Sequence, residues 1–340
     1  MTAADTRRPS VLIVGAGFGG LAMAAELARH GMRNSYSFAP NTEWPRRFSL
    51  QPDIKRYIEQ VIDSYELRPH LRFGTEVTSA AFDADTATWH IETSTGQSFD
   101  VDVIVPATGV LSQPALPSIP GRDSFEGKAF HSARWDHDYD LTGKRVAVIG
   151  TGATAIQFHT PDSAAGRATH RLPALRAVHH SQTRHHLRPP APARLPCSYG
   201  ITVPGFPDMF LVYGSNTSLG AGSIIYMLER QARYIRQLIE HLAAHRNCYL
   251  DIRREVEQRY DDEIQHRLQH TAWTGCASWY RNTNGRVTAN WPGTVTEYHR
   301  RTRTADLSDF HLIRPPHASP TDSTKPDTGR IEPPQRCSPR

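Results

Sequence analysis

Two glycine-rich loops are the stretches of this chain whose residue types and spacing could do chemistry. In the first, residues 11–14 form a short apolar run, and Gly15, Gly17 and Gly20 follow in a G-x-G-x-x-G pattern before an alanine-rich stretch. In such a loop the first glycine permits a tight turn, the second lets the backbone approach a pyrophosphate, and the third allows close helix–strand packing. The partial positive charge of the helix N-terminus then faces the phosphates. This context predicts dinucleotide binding at the three glycines, with a glycine-rich structural turn as the alternative.

The second loop repeats this arrangement later in the chain. Residues 145–149 have the pattern of a strand, and the G-x-G-x-x-A turn that follows them contains Gly150, Gly152 and Thr154. A bare glycine pattern is a weak signal, but two such loops in one chain support each other. The sequence therefore predicts two nucleotide sites, with Gly150, Gly152 and Thr154 at the second.

The stretch between the two loops carries a pattern of aromatic residues, a histidine and an aspartate. Residues 125–136 match F-x-G-x-x-x-H-x-x-x-W-D, with His131 and Trp135 at two of the defining positions. This pattern resembles the fingerprint of the Baeyer-Villiger monooxygenases. The resemblance implies an enzyme that uses FAD, NADPH and dioxygen, through a flavin peroxide, to insert oxygen into a ketone or to oxygenate a soft heteroatom.

The same resemblance gives His131 and Trp135 a role. In the family the histidine helps to couple the movement of the FAD and NADPH domains, so these two residues are the catalytic candidates. A histidine and a tryptophan in a linker are more often packing residues, which is the alternative. The partners implied are a small hydrophobic carbonyl substrate and dioxygen.

The resemblance also assigns the cofactors. It implies that the first loop holds FAD and the second holds NADPH, the hydride donor. Residues 103–106 have a strand pattern and run into Ala107, Thr108 and Gly109, an A-T-G sequence that the family places close to the FAD. A strand that simply ends at a glycine turn is the alternative for Thr108 and Gly109. The predicted fold class is α/β, a flavoprotein with a Rossmann-like FAD domain and a truncated NADPH domain.

Parts of the expected fold are missing from the chain. A dinucleotide fold needs a second strand, ending about 20 residues on in an acidic residue that binds the ribose hydroxyls. No such strand pattern follows Gly31, and the acidic candidate Glu43 lies in a proline-flanked loop and is not expected to be the ribose ligand. The arginine that the family places beside the flavin cannot be assigned. We therefore expect impaired activity, with a catalytically silent remnant that binds nucleotides weakly or not at all as the alternative.

The NADPH domain is shortened as well. Pro161 breaks the helix after the second loop, and residues 163–207 contain no acidic residue but many arginines, histidines and prolines. The histidine pairs at 179–180 and 185–186 lack zinc-like spacing, so no metal site is predicted. The predicted division of the chain is an N-terminal FAD part at 1–138, an NADPH-domain remnant at 139–160, a disordered basic linker at 161–204, a helical return to the FAD domain at 205–314 and a disordered tail at 315–340.

Hydrophobic periodicity predicts the remaining elements. An amphipathic helix is expected over 54–65, a small meander over 76–81, 88–92 and 98–101, and two further amphipathic helices over 224–242 and 256–268.

Composition argues against several classes of protein. A chain of 340 residues exceeds one typical domain, and its net charge of +5 is not arranged as a recognisable nucleic-acid-binding module, so no nucleic-acid partner is predicted. No window approaches the roughly 20 apolar residues of a membrane span. The four cysteines form no C-x-x-C pair, which indicates neither a disulfide framework nor a zinc site and favours a reducing cytoplasm.

Overall fold

The computed structural model describes most of the residues on which these predictions rest. The described residues are 9–28, 38–46, 49–111, 120–142, 144–150, 197–220, 222–245, 247–274, 280–282 and 284–315, together with 114, 116, 154 and 176–177.

The helices and strands predicted from the sequence appear in the predicted order, together with others that the sequence did not predict. In chain order the elements are β1 (Val11–Val14), α1 (Phe18–Ala28), α2 (Gln51–Ser64), β2 (Val77–Asp83), β3 (Thr88–Thr93), β4 (Ser98–Val101), β5 (Val103–Pro106), β6 (Ala147–Val148), β7 (Arg176–Ala177), α3 (Ile224–Ala244), β8 (Tyr249–Ile252), α4 (Arg254–Leu268), α5 (Val295–Arg301) and β9 (Phe310–Ile313). The chain forms two compact units, one made of 1–110 with 192–340 and the other of 111–191. Among the described helices, none has the length and apolar character needed to cross a membrane.

The first unit is built on a parallel sheet. β1 pairs with β5 in parallel, from Val11 opposite Val103 to Val14 opposite Pro106. On the other side of β5, the chain at 208–212 continues the ladder. The amide of Val212, for example, donates to the carbonyl O of Pro106 at 2.9 Å. The order across the sheet is therefore β1, β5 and the 208–212 segment.

The two faces of this sheet are covered by different layers. Val103 and Val105 belong to the large core cluster that contains residues of α1 and α3, whereas Ile104 belongs to a smaller cluster with Trp89 and Ile91 of β3. The alternation follows from the period of two in a β-strand. The sheet thus lies between a helical layer and the antiparallel meander β2–β3–β4, which was predicted from its alternating residues.

The helices form because their sequences are amphipathic and have suitable ends. α2 carries Pro52 in its first turn together with Asp53, whose charge favours the N-terminal end of a helix. α3 begins after Ser223, whose side chain accepts a hydrogen bond from the amide of Tyr226. Their apolar faces enter the core through residues such as Val61 of α2 and Ile235 of α3.

The C-terminal part has its own core beside α3. Met227, Ile264, Trp291 and Tyr298 are fully or almost fully buried there. Arg267 makes two hydrogen bonds to Glu297, and both Arg267 and Arg301 lie over the Trp291 ring, at 5.5 and 5.7 Å. Cation–π contact and a bidentate ion pair thus join α4, α5 and the Trp291 segment.

The second unit contains a shorter strand than the sequence predicts. The predicted strand at 145–149 is reduced to β6, and β7 pairs with it in parallel, Ala147 opposite Arg176. β7 lies in the segment for which a linker is predicted.

In the first unit, Cys248 is disulfide-bonded, a bridge that the cysteine spacing did not indicate.

A buried aspartate ties the 208–212 segment to β8. Asp208 is 2% exposed, its backbone has a left-handed φ of +52°, and its Oδ1 accepts a hydrogen bond from the amide of Leu250 at 2.9 Å. Burial raises the pKa of this carboxyl well above its ordinary value, and the nearby carboxylates of Asp102 and Asp251 raise the pKa further, although the bond from Leu250 opposes them.

This geometry predicts different effects on stability for two substitutions of Asp208. Because its pKa is higher in the folded than in the unfolded protein, its contribution to stability is lost as the pH rises from about 4 through the folded-state pKa. Asp208→Asn keeps the acceptor for Leu250 and tolerates the left-handed backbone, so its stability relative to the wild type should increase with pH. Asp208→Ala leaves the Leu250 amide unsatisfied and should cost about 1–3 kcal/mol. Urea unfolding at pH 5 to 8 measures both effects, and a pH-independent difference for the asparagine variant would contradict the assignment.

Candidate functional site

The first glycine loop is packed so closely that two of its glycines cannot be replaced. Gly15 has a φ of +114°, and a Cβ added to it would lie 2.6 Å from the carbonyl O of Ala107. A Cβ at Gly20 would lie 1.9 Å from the carbonyl O of Gly15. At Gly17, by contrast, an added Cβ has no atom within 4 Å. The loop is therefore tight on the protein side and open where a ligand would approach Gly17.

The N-terminus of α1 supplies the electrostatic part of the site. The amide of Leu21 donates to the carbonyl O of Gly17, and the amides before it precede the first regular helical hydrogen bond. α1 has no acidic residue in its first turn. An anion near Gly17 would thus meet backbone donors and the positive end of the helix.

Three strand ends meet at this edge of the sheet. β1 ends at Val14 and leads into Gly15, β5 ends at Pro106 and leads into Ala107, Thr108 and Gly109, and the parallel 208–212 segment leads into residues 213–218. Thr108 and Gly109 are exposed, and Gly109 has a φ of +73°. In open α/β sheets, ligands bind in the crevice outside the carboxyl ends of the strands. The structure therefore brings the predicted residues of the FAD site to one edge.

The stretch in which a ribose ligand would be expected lies mostly outside the described residues. The stretch after α1, residues 29–37, is not described. Glu43 lies beside α2 and lines a cleft of about 240 Å³ with Asp53, Arg56 and Tyr57. Its exclusion as the ribose ligand stays a prediction.

The fingerprint forms a compact turn in the second unit. His131 caps a 3-10 turn at Ser132–Arg134, its Nδ1 accepting a hydrogen bond from the amide of Ala133 at 3.0 Å. A neutral His131 in this arrangement carries its proton on Nε2. The ring of Trp135 packs edge-on against Phe130, with centroids 5.1 Å apart.

An ion pair joins the residues on either side of this turn. The Lys128 Nζ lies 2.7 Å from the Asp136 Oδ2. This hydrogen-bonded pair raises the pKa of Lys128 and lowers that of Asp136. His131 and Trp135 are thus held on one short structural element, and both are half-buried.

The second glycine loop is described only in part. Gly150 has a φ of +126° and open space around it, and Thr154 is helical and exposed. Gly152 lies outside the described residues, as do the histidines at 179–180 and 185–186. Within the described part of the chain, no group of three or more His, Cys, Asp or Glu side chains could hold a metal ion.

One polar residue of the site region is missing from the sequence-based candidates. Gln231 lies on α3, is completely buried, and accepts a hydrogen bond from the amide of Tyr213 at 2.9 Å. It interrupts the apolar stripe between Leu228 and Ile235. A glutamine at a buried position of an amphipathic helix is the signal that could have identified it.

Comparison with known proteins identifies the family. The family model described as pyridine nucleotide-disulphide oxidoreductase matches residues 9–181. A Baeyer-Villiger monooxygenase of Streptomyces coelicolor is 31% identical over 497 aligned positions, which cover 94% of this chain and 96% of that protein. The chain belongs to the Baeyer-Villiger monooxygenases. A second such enzyme, from Pseudomonas aeruginosa, is 26% identical over 495 positions that cover 94% of both chains.

A solved structure supports the fold of this monooxygenase. The crystal structure of OTEMO in complex with FAD and NADP matches with a TM-score of 0.68 at 16% identity, over 90% of this chain and all of that one. The predicted α/β flavoprotein fold is thereby confirmed. The protein is a flavin-dependent monooxygenase that uses FAD and NADPH.

The alignment also confirms that internal segments are missing from this monooxygenase. Since 94% of 340 residues is about 320, roughly 180 of the 497 aligned positions have no counterpart in the chain. The described first unit nevertheless keeps a close-packed glycine loop, an open Gly17 backbone and a helix N-terminus. These features fit the pyrophosphate of FAD.

The loop geometry predicts different results for two glycine-to-alanine variants. Gly20→Ala should destabilise the protein by about 1–3 kcal/mol or more, because the new Cβ overlaps the Gly15 carbonyl. Gly17→Ala should leave the stability of the flavin-free protein nearly unchanged but weaken FAD binding by about tenfold or more, since the methyl group enters the ligand space. Thermal unfolding without FAD and fluorescence titration with FAD measure the two effects. Equal FAD affinity of Gly17→Ala and the wild type would contradict the placement of the pyrophosphate.

Proposed function

We propose that this enzyme oxygenates a small hydrophobic carbonyl compound with NADPH and dioxygen, using an FAD bound at the edge formed by the three strand ends. The observation that carries the proposal is the meeting of the Gly15–Gly20 loop, Thr108–Gly109 and residues 213–218 at one edge of the sheet. A soft heteroatom is the other kind of centre that this chemistry would reach.

The cofactor, when bound, accepts a hydride from NADPH and activates dioxygen. The chain would bind the pyrophosphate through the backbone amides at Gly17 and the start of α1. Gly15 and Gly20 would act by allowing the loop to pack tightly, and Thr108 and Gly109 would border the same cofactor. The Gly150 loop, with Gly152 and Thr154, would bind NADPH in the second unit.

In this proposal His131 and Trp135 transmit movement rather than react with the substrate. His131 holds the start of a 3-10 turn through Nδ1 and keeps its Nε2 proton available as a donor. Trp135 fixes the end of the same turn by packing against Phe130. A rigid turn that carries a polar donor suits a coupling role between nucleotide sites.

The proposed activity is lower than that of a relative with all segments present. A hydrogen bond to a charged group is worth about 1.5–3 kcal/mol, so loss of the acidic ribose ligand would reduce FAD affinity roughly tenfold or more. We place the enzyme in the cytoplasm because the cysteine spacing lacks a secreted disulfide framework, although Cys248 is bridged.

The direct test is the visible absorption spectrum of the purified protein after incubation with FAD and desalting. Retained flavin absorbance, followed by NADPH oxidation that increases with added ketone and yields an oxygenated product, is the expected result. A protein that neither retains flavin nor quenches its fluorescence would overturn the proposal and leave the silent remnant.

Two variants of His131 separate the stability that its side chain gives to the 3-10 turn from the proposed coupling role of its imidazole ring. His131→Ala removes both, whereas His131→Asn keeps a side chain that can cap the turn. Both variants should slow ketone-dependent NADPH oxidation by about tenfold to a hundredfold, while only the alanine variant loses stability. Steady-state NADPH oxidation and thermal unfolding separate the two effects. Wild-type oxidation rates in both variants would rule out the coupling role.

A further inference from the structure

The loop that follows the 208–212 segment is held in a strained shape. We call residues 213–218 the return loop. Tyr213 and Asn216 have φ angles of +69° and +56°. Non-glycine residues keep a left-handed backbone only when their surroundings hold it, and such strain is concentrated at functional sites.

The second half of the return loop is hydrogen-bonded to the C-terminal part of the first unit. The Asn216 Nδ2 donates to the carbonyl oxygens of Val287 and Asn290, at 2.9 and 3.0 Å. The amide of Ser218 donates to the carbonyl O of Ala289 at 2.9 Å. At the entry to the loop, the amide of Gly214 donates to the carbonyl O of Gly200 at 3.2 Å, and the amide of Tyr213 donates to a side chain.

Gln231 holds that entry. Val212 makes the last ladder bond of the segment, to the carbonyl O of Pro106, and the next amide, that of Tyr213, donates to the Gln231 Oε1 at 2.9 Å. Amides alternate along a strand, so the Tyr213 amide faces away from β5, as does the Leu211 amide, which donates to the carbonyl O of Ile201. At Tyr213 a glutamine side chain supplies the acceptor on that side. The chain turns away from the sheet at this point.

The other end of the Gln231 amide is fixed by two tyrosines. Its Nε2 donates to the Tyr298 Oη at 2.9 Å and approaches the carbonyl O of Tyr199 at 3.5 Å. The Tyr298 hydroxyl in turn donates to the same Tyr199 carbonyl at 2.5 Å. With both ends bonded and no exposed surface, Gln231 has one orientation, and its Oε1 is directed at Tyr213.

The return loop begins next to the first glycine loop. A Cβ added to Gly19 would lie 2.8 Å from the Val212 Cγ1 and 3.7 Å from the Leu228 Cδ2 of α3. Val212 is the residue before Tyr213, and Leu228 lies one helical turn before Gln231. The backbone direction after Val212 therefore sets the distance between the return loop and the proposed pyrophosphate site.

We propose that Gln231 is a positioning residue for FAD: by accepting the Tyr213 amide it sets the return loop against the glycine loop in the shape that admits the cofactor. This role rests on the proposed FAD site at the same edge. Gln231 acts through Tyr213 and does not touch the cofactor.

The test compares two variants that disturb the same hydrogen-bond chain at different ends. Gln231→Met removes the acceptor for the Tyr213 amide. Tyr298→Phe removes the hydroxyl at the other end but leaves that acceptor in place and leaves the carbonyl O of Tyr199 to orient the Gln231 amide. Gln231→Met should weaken FAD binding about tenfold, and Tyr298→Phe should stay within about twofold of the wild type. Fluorescence titration of the full chain with FAD gives these values. Thermal unfolding of both variants measures their loss of stability separately from their FAD affinity.

Hydrogen exchange of the flavin-free proteins provides a readout that does not depend on cofactor binding. Gln231→Met should speed exchange in residues 213–218, and Tyr298→Phe should not. The proposal is overturned by wild-type FAD affinity in Gln231→Met, by equal losses of affinity in Gln231→Met and Tyr298→Phe, or by unchanged exchange in Gln231→Met. If the wild type binds no FAD, the proposed function fails by itself. The exchange data then still decide whether Gln231 fixes the loop.

Discussion

The close approach of Gly15 to the carbonyl of Ala107 is the constraint on which the rest of the described site depends. It requires β1 and β5 to end at the same level, and the register from Val11–Val103 to Val14–Pro106 satisfies that requirement. Gly20 then has to touch Gly15 so that α1 can start directly beside the strand end. Backbone geometry alone thus gives this edge the shape that the proposed nucleotide site needs, before any side chain contributes.

Packing extends this constraint to distant parts of the chain. α3 lies with α1 in the large core cluster, and its Leu228 reaches towards Gly19. The 208–212 segment completes the sheet beside β5 and is anchored to β8 through Asp208. Segments far apart in the sequence therefore form one edge of the sheet, which explains how that edge persists in a monooxygenase with shortened internal segments.

Much of this arrangement could be predicted from the sequence, because it depends on local patterns. The strand before Gly15, the helix with its stripe at Tyr57 and Val61, and the meander that contains Trp89 all follow from residue periodicity. The roles of Gly15 and Gly20 follow from the spacing of the motif. At these positions the prediction and the structure agree, whereas the strand predicted at 145–149 from a similar local pattern is only two residues long.

The features that escaped prediction depend on contacts between residues far apart in the chain. The bond from the Tyr213 amide to Gln231 and the two guanidinium groups over Trp291 join elements whose separation gives no periodic signal. β7 is two residues long, below the length at which alternation can be recognised. The placement of Thr108 beside the glycine loop required the family resemblance, since an A-T-G sequence at a strand end is common.

The sheet of the first unit also has a consequence for biosynthesis. β5 leaves the ribosome about a hundred residues before its neighbour at 208–212, with the whole second unit translated in between. Until that neighbour arrives, one edge of β5 has open backbone donors and acceptors, which can pair with another nascent chain. Non-local pairing of this kind is slow to form. Production of the protein in active form should therefore depend on chaperone capacity and translation speed more than on the stability of the finished fold.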